Sequence, residues 1–249
     1  MTLTRGGFTA RHAVLKAGYG SRPDPSDPAQ VLAMPIVLHI PKADPPARSA
    51  VLAAAAAATV ALCLDARVGP DAHGIPGPWQ GAFREWTGAR IRKVARRARG
   101  AQWVAAQEVD GVTVDLDGAQ ARAFVPGRVG DLDTRIKKLQ IGGTDLAHDD
   151  PGPVPEGVPT LWVNATLGMT VGKAAAQVGH AAMILAGAMS TARALDWAAD
   201  RYYCAVRDAD ETTWASLRDE VALGRAIAVR DAGFTEIAPG SMTVIASLR

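Results

Sequence analysis

Thr160-Leu-Trp-Val-Asn164, followed closely by Met169-Thr-Val-Gly-Lys-Ala-Ala-Ala-Gln-Val-Gly-His180, decides the fold class. The first run is short and apolar, as a buried strand requires. From the second onward, Ala174, Val178, Ala181, Leu185 and Met189 recur every three to four positions, the period of a helix with one apolar face. At about 100° per residue, Lys173, Gln177 and His180 fall within about 60° of one another, and the apolar stripe is centred roughly 115° away. The expected unit is therefore a strand, a tight connection and a helix. One helix face is made for a core, and another carries a cation, an amide and an imidazole. Thr170 is placed to cap the helix, whose first free N–H groups favour an anion.

Composition bounds what surrounds this unit. A chain of 249 residues buries one large core or two small ones. A net charge of only +2 gives no whole-molecule attraction to nucleic acid, but residues 1–150 hold 19 Lys/Arg against 15 Asp/Glu and the remainder 8 against 10. The positive excess thus sits in the first half. Cys63 and Cys204 lie far apart in apolar contexts, and the five histidines (12, 39, 73, 148 and 180) show no ligand spacing. Neither a disulfide framework nor a metal site is expected, no cofactor is called for, and a reduced cytoplasmic setting fits. No Gly-x-Ser-x-Gly nucleophile motif is present. The basic N-terminus lacks the apolar core of a secretory leader, so residues 1–33 read as a mobile N-terminal extension. Residues 50–64 are mostly alanine, too short and weakly hydrophobic for a membrane span, and read as a helix inside a core.

Residues 34–148 read as an N-terminal α/β domain. It comprises a strand at 34–40, the Ala-rich helix introduced by Pro45-Pro46, a Gly/Pro loop at 69–78 and an amphipathic piece at 79–86. A basic run at 90–99 follows, then a hairpin turning at Asp117-Gly118 and a short helix within 131–139. Residues 149–159 carry four prolines and form the linker. Residues 160–249 then alternate: strand 160–164, helices 170–189 and 191–199, strand 202–206, a helix from Asp208/Asp210 to 222, and strands 226–230 and 242–248. Such alternation predicts an α/β fold with a sheet covered by helices on both faces. The unit looks duplicated. Trp86 and Trp197 are each followed 17 residues later by another tryptophan, Trp103 and Trp214, and each set leads to a Pro-Gly pair, at 126–127 and 239–240.

The second informative stretch is Asp231-Ala-Gly-Phe-Thr-Glu-Ile-Ala-Pro-Gly240, at the end of an apolar run where α/β sheets bind ligands. With Met169–Ala181 it resembles the archaeal/eukaryotic-type peptidyl-tRNA hydrolase family, whose two blocks read Met-Gly-Lys-Gly-Lys-x-Ala-Ala-Gln-x-x-His-Ala and Asp-Ala-Gly-Arg-Thr-Gln-Ile-Ala-Pro-Gly. The resemblance covers about 160–249. It implies a small mixed sheet flanked by helices, and hydrolysis of the ester joining a peptide to the 3′ end of a tRNA, without metal or organic cofactor. It also implies catalytic roles for Lys173, Asp231 and Thr235, with Gln177 and His180 beside them. Asp231 would orient or deprotonate a water, Lys173 would stabilise the oxyanion or hold a phosphate, and Thr235 would supply a hydroxyl. The chain departs from the family at Thr170, Val171, Phe234 and Glu236, which removes two cations.

The first half offers replacements. Arg90, Arg92, Lys93, Arg96, Arg97 and Arg99 place six cations in ten residues, a candidate contact for tRNA phosphates. If the halves are repeats, the first-half counterparts of Lys173, Gln177 and His180 are Ser49, Ala53 and Ala56 at an offset of 124, and those of Asp231 and Thr235 are Gly118 and Arg122 at 113. The sibling then lacks every polar site group. The expected assembly is a monomer built as an intramolecular pseudo-dimer, or a homodimer, with no membrane partner. The alternatives are an RNA-binding protein of the same fold whose site has eroded, and an interaction module docking through the Ala-rich helix.

Overall fold

The computed structural model describes residues 5–71, 73–231, 238 and 240–247. In chain order the elements are α1 (Arg5–Lys16), β1 (Leu32–His39), α2 (Arg48–Cys63), α3 (Gln80–Thr87), β2 (Lys93–Ala98), α4 (Ala101–Ala106), β3 (Gly111–Leu116), β4 (Ala119–Phe124), β5 (Gly127–Arg128) and α5 (Thr134–Lys137). The second half adds β6 (Thr160–Asn164), α6 (Val171–Ala188), α7 (Thr191–Ala199), β7 (Ala205–Ala209), α8 (Glu211–Ala222), β8 (Ala226–Arg230) and β9 (Met242–Ser247).

The two sheets share one topology. The first runs β2-β1-β4-β3, with the two-residue β5 pairing the start of β1; the second runs β7-β6-β9-β8. In each, the first two strands of the unit pair parallel and the remaining contacts are antiparallel. Side chains alternate as a two-faced sheet requires. Met34, Ile36 and Leu38 point into the core, while Val37 packs outward with Trp103 and Phe124. Leu161 and Val163 point inward, while Trp162 packs outward with Trp214 and Leu217. A local contact repeats as well: Trp86 Nε1 donates to Arg92 O at 3.1 Å, and Trp197 Nε1 donates to Tyr203 O at 2.6 Å, each six residues on.

The topology corrects one part of the expected alignment. β4 is the counterpart of β9, so Pro126-Gly127 follows the last strand of its unit whereas Pro239-Gly240 precedes it. The reason is the last connection. Asp117 and Gly118, at φ 52° and 91°, turn β3 directly into β4, whereas residues 231–241 separate β8 from β9. Arg122 therefore lies inside a strand and is no counterpart of Thr235. Helices α2 and α6 start at Arg48 and Val171. At that offset Lys173, Gln177 and His180 fall on Ala50, Ala54 and Ala57, so the first unit lacks these groups under either register.

The halves share one core. α2 is buried nearly all round, as an apolar helix without a polar face should be, and it packs on α6. The crossing is close enough that a Cβ on Gly179 would stand 2.6 Å from Thr59 Oγ1. Thr59 is itself fully buried and donates to Ala55 O at 2.8 Å. One continuous core contains Ile36, Leu52, Val178 and Leu161, from both units. The 149–159 linker is pinned to both. Asp149 accepts from Ser49 N and Ser49 Oγ, and Arg207 donates to Gly152 O and Pro153 O.

Residues 1–33 are not a mobile extension where described. Helix α1 buries Phe8 completely and covers the carboxyl ends of both central helices. Arg11 Nε donates to Leu64 O at 2.8 Å, and His12 Nε2 donates to Ala186 O at 2.8 Å. The last carbonyls of a helix lack intrahelical donors, so Arg11 satisfies a group that would otherwise need water; Ala186 O also accepts from Met189 N, and His12 adds a second donor to it. No helix among the described residues is long and apolar enough to cross a membrane.

Two glycine substitutions separate crossing geometry from helix propensity. Gly179→Val should lower the thermal midpoint, because overpacking a closed crossing costs about 1–3 kcal/mol. Gly81→Ala, on α3 where an added Cβ meets nothing within 4 Å, should raise stability by about 0.5–1 kcal/mol. Thermal unfolding of both variants checks this, and a tolerated Gly179→Val contradicts the crossing.

Candidate functional site

Twelve of the eighteen positions of α6 are buried, and the partly exposed ones are Lys173, Ala176, Gln177, His180 and Ile184 until the final Ala188. This stripe, read as polar from spacing, forms one wall of a cleft of about 530 Å³. Arg230 and Asp231 form a second wall, and Ile91, Arg92, Lys93 and Ala95 of the first half a third. The topology explains the convergence. β8 and β6 run parallel with β9 between them, so Asp231 and the start of α6 lie at the same carboxyl edge of the sheet.

Lys173 Nζ donates to Asp231 Oδ2 at 2.8 Å, with both side chains largely shielded, at 13% and 9% exposure. The backbone of Asp231 is fixed as well: its N–H donates to Ser241 O and its carbonyl accepts from Gly240 N, closing residues 231–241 at their base. Gln177 Oε1 accepts from Thr243 Oγ1 at 2.8 Å, so the donor end of that amide is what it can offer a ligand. Thr170 caps α6 as expected, accepting from Lys173 N at 3.2 Å. Thr144 accepts from Gly172 N at 3.0 Å. Two of the first-turn N–H groups are therefore satisfied within the protein, which corrects the expectation of free donors for an anion. Thr235 lies outside the described residues. Val171, where the resemblance places a cation, is packed in the core at 2% exposure.

The basic run is not one solvated face, because it forms strand β2 and its side chains divide. Arg90 and Arg92 pair with Asp24, from the N-terminal segment. Arg96 turns to the opposite side of the sheet and donates to Lys137 O and Leu139 O. Arg97 donates to Gln140 Oε1. Neither Arg96 nor Arg97 lines the cleft. Lys93 points inward, its Nζ 5.1 Å from the centre of the Trp86 ring and buried, with no hydrogen-bond partner among the described residues. His180 Nε2 is also buried without one, and Tyr19 stands edge-on to its ring at 5.3 Å. Sequence reasoning missed Tyr19, Asp24, Thr144 and Thr243. All four reach the site from segments read as extension, loop or strand, and none carries a motif. Among the described residues, no cluster of three or more His, Cys, Asp and Glu is placed to hold a metal.

Burial pulls Lys93 down to about 7, opposed by the Cys63 thiol, which burial pushes up to about 12. His180 is held well below the ordinary imidazole range, first by burial and then by Lys93. Both are bases whose charged forms the folded state disfavours, so the unfolded chain binds more protons. For Lys93 the destabilisation is complete below pH 7 and is relieved as pH rises toward the 10.5 of a free lysine. Urea unfolding midpoints should therefore increase from about pH 7 to about pH 9.5, and Lys93→Met should remove most of that increase. An identical slope in the variant contradicts the assignment.

Residues 158–247 match the family model described as peptidyl-tRNA hydrolase PTH2. No curated protein and no solved structure matches the chain. The matched segment contains β6, α6, β8 and β9, the elements that hold Lys173, Gln177, His180 and Asp231. Over its C-terminal part, residues 158–247, the chain is similar to the peptidyl-tRNA hydrolase PTH2 family.

Proposed function

We propose that the chain hydrolyses the ester between an acyl-aminoacyl or peptidyl group and the 3′-terminal ribose of a tRNA, at the cleft between its halves. The observation that carries this reading is the shielded Lys173–Asp231 pair at the carboxyl edge of the second sheet. Asp231 accepts a proton from a water whose oxygen bonds to the acyl carbon. The carbon–oxygen bond to the ribose then breaks, and the proton passes to the departing 3′-oxygen. Lys173, within reach of the same point, opposes the negative charge that builds on the carbonyl oxygen. Thr235 supplies a hydroxyl that positions water or substrate, and Gln177 donates through its amide nitrogen. Arg92, on the cleft wall, and Arg90, beside it in sequence, both paired with Asp24, meet the phosphates of the tRNA end by exchanging Asp24 for substrate. The first half is non-catalytic in this reading: it closes the cleft and buries the apolar surface of α6.

Hydrolysis of N-acetyl-aminoacyl-tRNA by the purified chain is the test. Lys173→Met and Asp231→Asn should each lower kcat/KM by at least about 100-fold, consistent with a loss of roughly 2.7 kcal/mol or more of transition-state stabilisation. Normal turnover in both variants overturns the assignment. Binding of the same tRNA without turnover in the wild type would favour the eroded RNA-binding protein.

A further inference from the structure

A second cavity, of about 270 Å³, opens on the outer face of the first sheet, and every residue on its walls belongs to the first half. Pro35, Val94, Phe124 and Ile136 give it an apolar lining, and Val129 and Ile141 on its walls stand 39% and 56% exposed. Large apolar side chains left in water gain by being covered. The charges around this lining are unequally used. Arg128 pairs with Glu85 and Asp133 with Arg135, which leaves Arg96, Asp110 and Asp131. Arg96 Nη1 donates to Lys137 O and Leu139 O, whereas Nε is buried, and neither Nε nor Nη2 has a hydrogen-bond partner among the described residues. Burial alone acts on the pKa of this guanidinium, lowering it, with no carboxylate to offset the loss. Asp110 and Asp131 likewise form no salt bridge and no side-chain hydrogen bond with a described residue.

One guanidinium, two carboxylates and an apolar lining define what fits. An organic anion alone faces Asp110 and Asp131 as like charges, and an amine alone leaves Arg96 unmatched. A molecule with both charges on an apolar body matches all three features: its carboxylate accepts from Arg96, and its ammonium donates to the two aspartates. Size narrows the class. At about 30 Å³ for each water-sized group the cavity holds about nine of them, as many as leucine or methionine has non-hydrogen atoms. A peptide terminus carries one of the two charges, whereas a free amino acid carries both on one residue. We propose that this cavity is a binding site for a free α-amino acid with an apolar side chain. Val94 and Ile141 line both the cavity and the cleft, so the two sites are neighbours. The proposal stands apart from the hydrolase reading, because it uses no residue of the second half and is tested by binding alone.

Equilibrium dialysis of the full chain against L-leucine, L-isoleucine, L-methionine and L-phenylalanine is the experiment. At least one of the four should bind with a Kd of about 1 mM or below. The carboxamide of that amino acid, its N-acetyl derivative and glycine should each bind at least about tenfold more weakly, the scale of one charged hydrogen bond or one buried side chain. Arg96→Met, and Val109→Phe, which fills the cavity from its wall, should each weaken binding of the parent amino acid by at least about tenfold as well. If Arg96→Met lowers the melting temperature by losing Lys137 O and Leu139 O, Val109→Phe decides between the outcomes, since it leaves those bonds in place. The comparison of analogues on the wild type needs no variant. Retention of none of the four amino acids at about 10 mM overturns the proposal. So does a carboxamide or N-acetyl derivative that binds as tightly as its parent, or binding that Val109→Phe leaves unchanged.

Discussion

The close crossing of α2 and α6 is the constraint on which the rest of the molecule depends. Gly179 against Thr59 brings two helices from different sheets nearly backbone to side chain. Small residues make this approach possible: Ala53 to Ala58 on one helix, and Gly172, Ala174, Ala175, Gly179, Ala181 and Ala182 on the other. Side chains this small bury little area each, so their value lies in the distance they permit and in the dispersion contacts that distance creates. Once the helices are seated, the polar stripe of α6 lies between β2 and the ends of β8 and β9, and the cleft forms there.

The two ends of the crossing are treated differently. At the carboxyl ends, α1 lays Arg11 and His12 against Leu64 O and Ala186 O and fastens the pair. At the amino end of α2, the position matching the site is closed: Arg48 pairs with Asp208 at 3.3 Å, and Ser49 is held by Asp149. At the amino end of α6 the matching space is left open, with Lys173, Gln177 and Asp231 on its walls. A duplicated fold thus keeps one of two equivalent clefts. The loss of the other is visible in the backbone, because a two-residue turn replaces the long connection that begins with Asp231.

Much of the second half was legible because strong local signals agreed with the tertiary outcome. Thr191–Ala199 and Ala226–Arg230 fall where periodicity and turns placed them, and Asp210 caps α8 as its position suggested. Lys173, Gln177 and His180 share a face because helical geometry alone dictates it, and the family motif paired them with Asp231. The strand expected at 202–206 begins three residues later, at Ala205, since Arg201 and Tyr202 adopt positive φ and turn the chain first. The basic run misled for a physical reason: a strand sends neighbouring cations to opposite faces, and only the fold tells which face is water. The N-terminal segment was illegible because its worth lies in capping helix ends distant in sequence. The Pro-Gly alignment failed because a repeat that loses a loop preserves its strands and shifts everything between them.

The central claim is that the two halves make one core and one working cleft. Expressing residues 151–249 alone, and again together with residues 1–150 as a separate chain, tests it most directly. The second half alone should be insoluble or inactive toward N-acetyl-aminoacyl-tRNA, and the two chains should co-purify and restore hydrolysis. A soluble 151–249 that turns over this ester as fast as the intact chain would contradict the account.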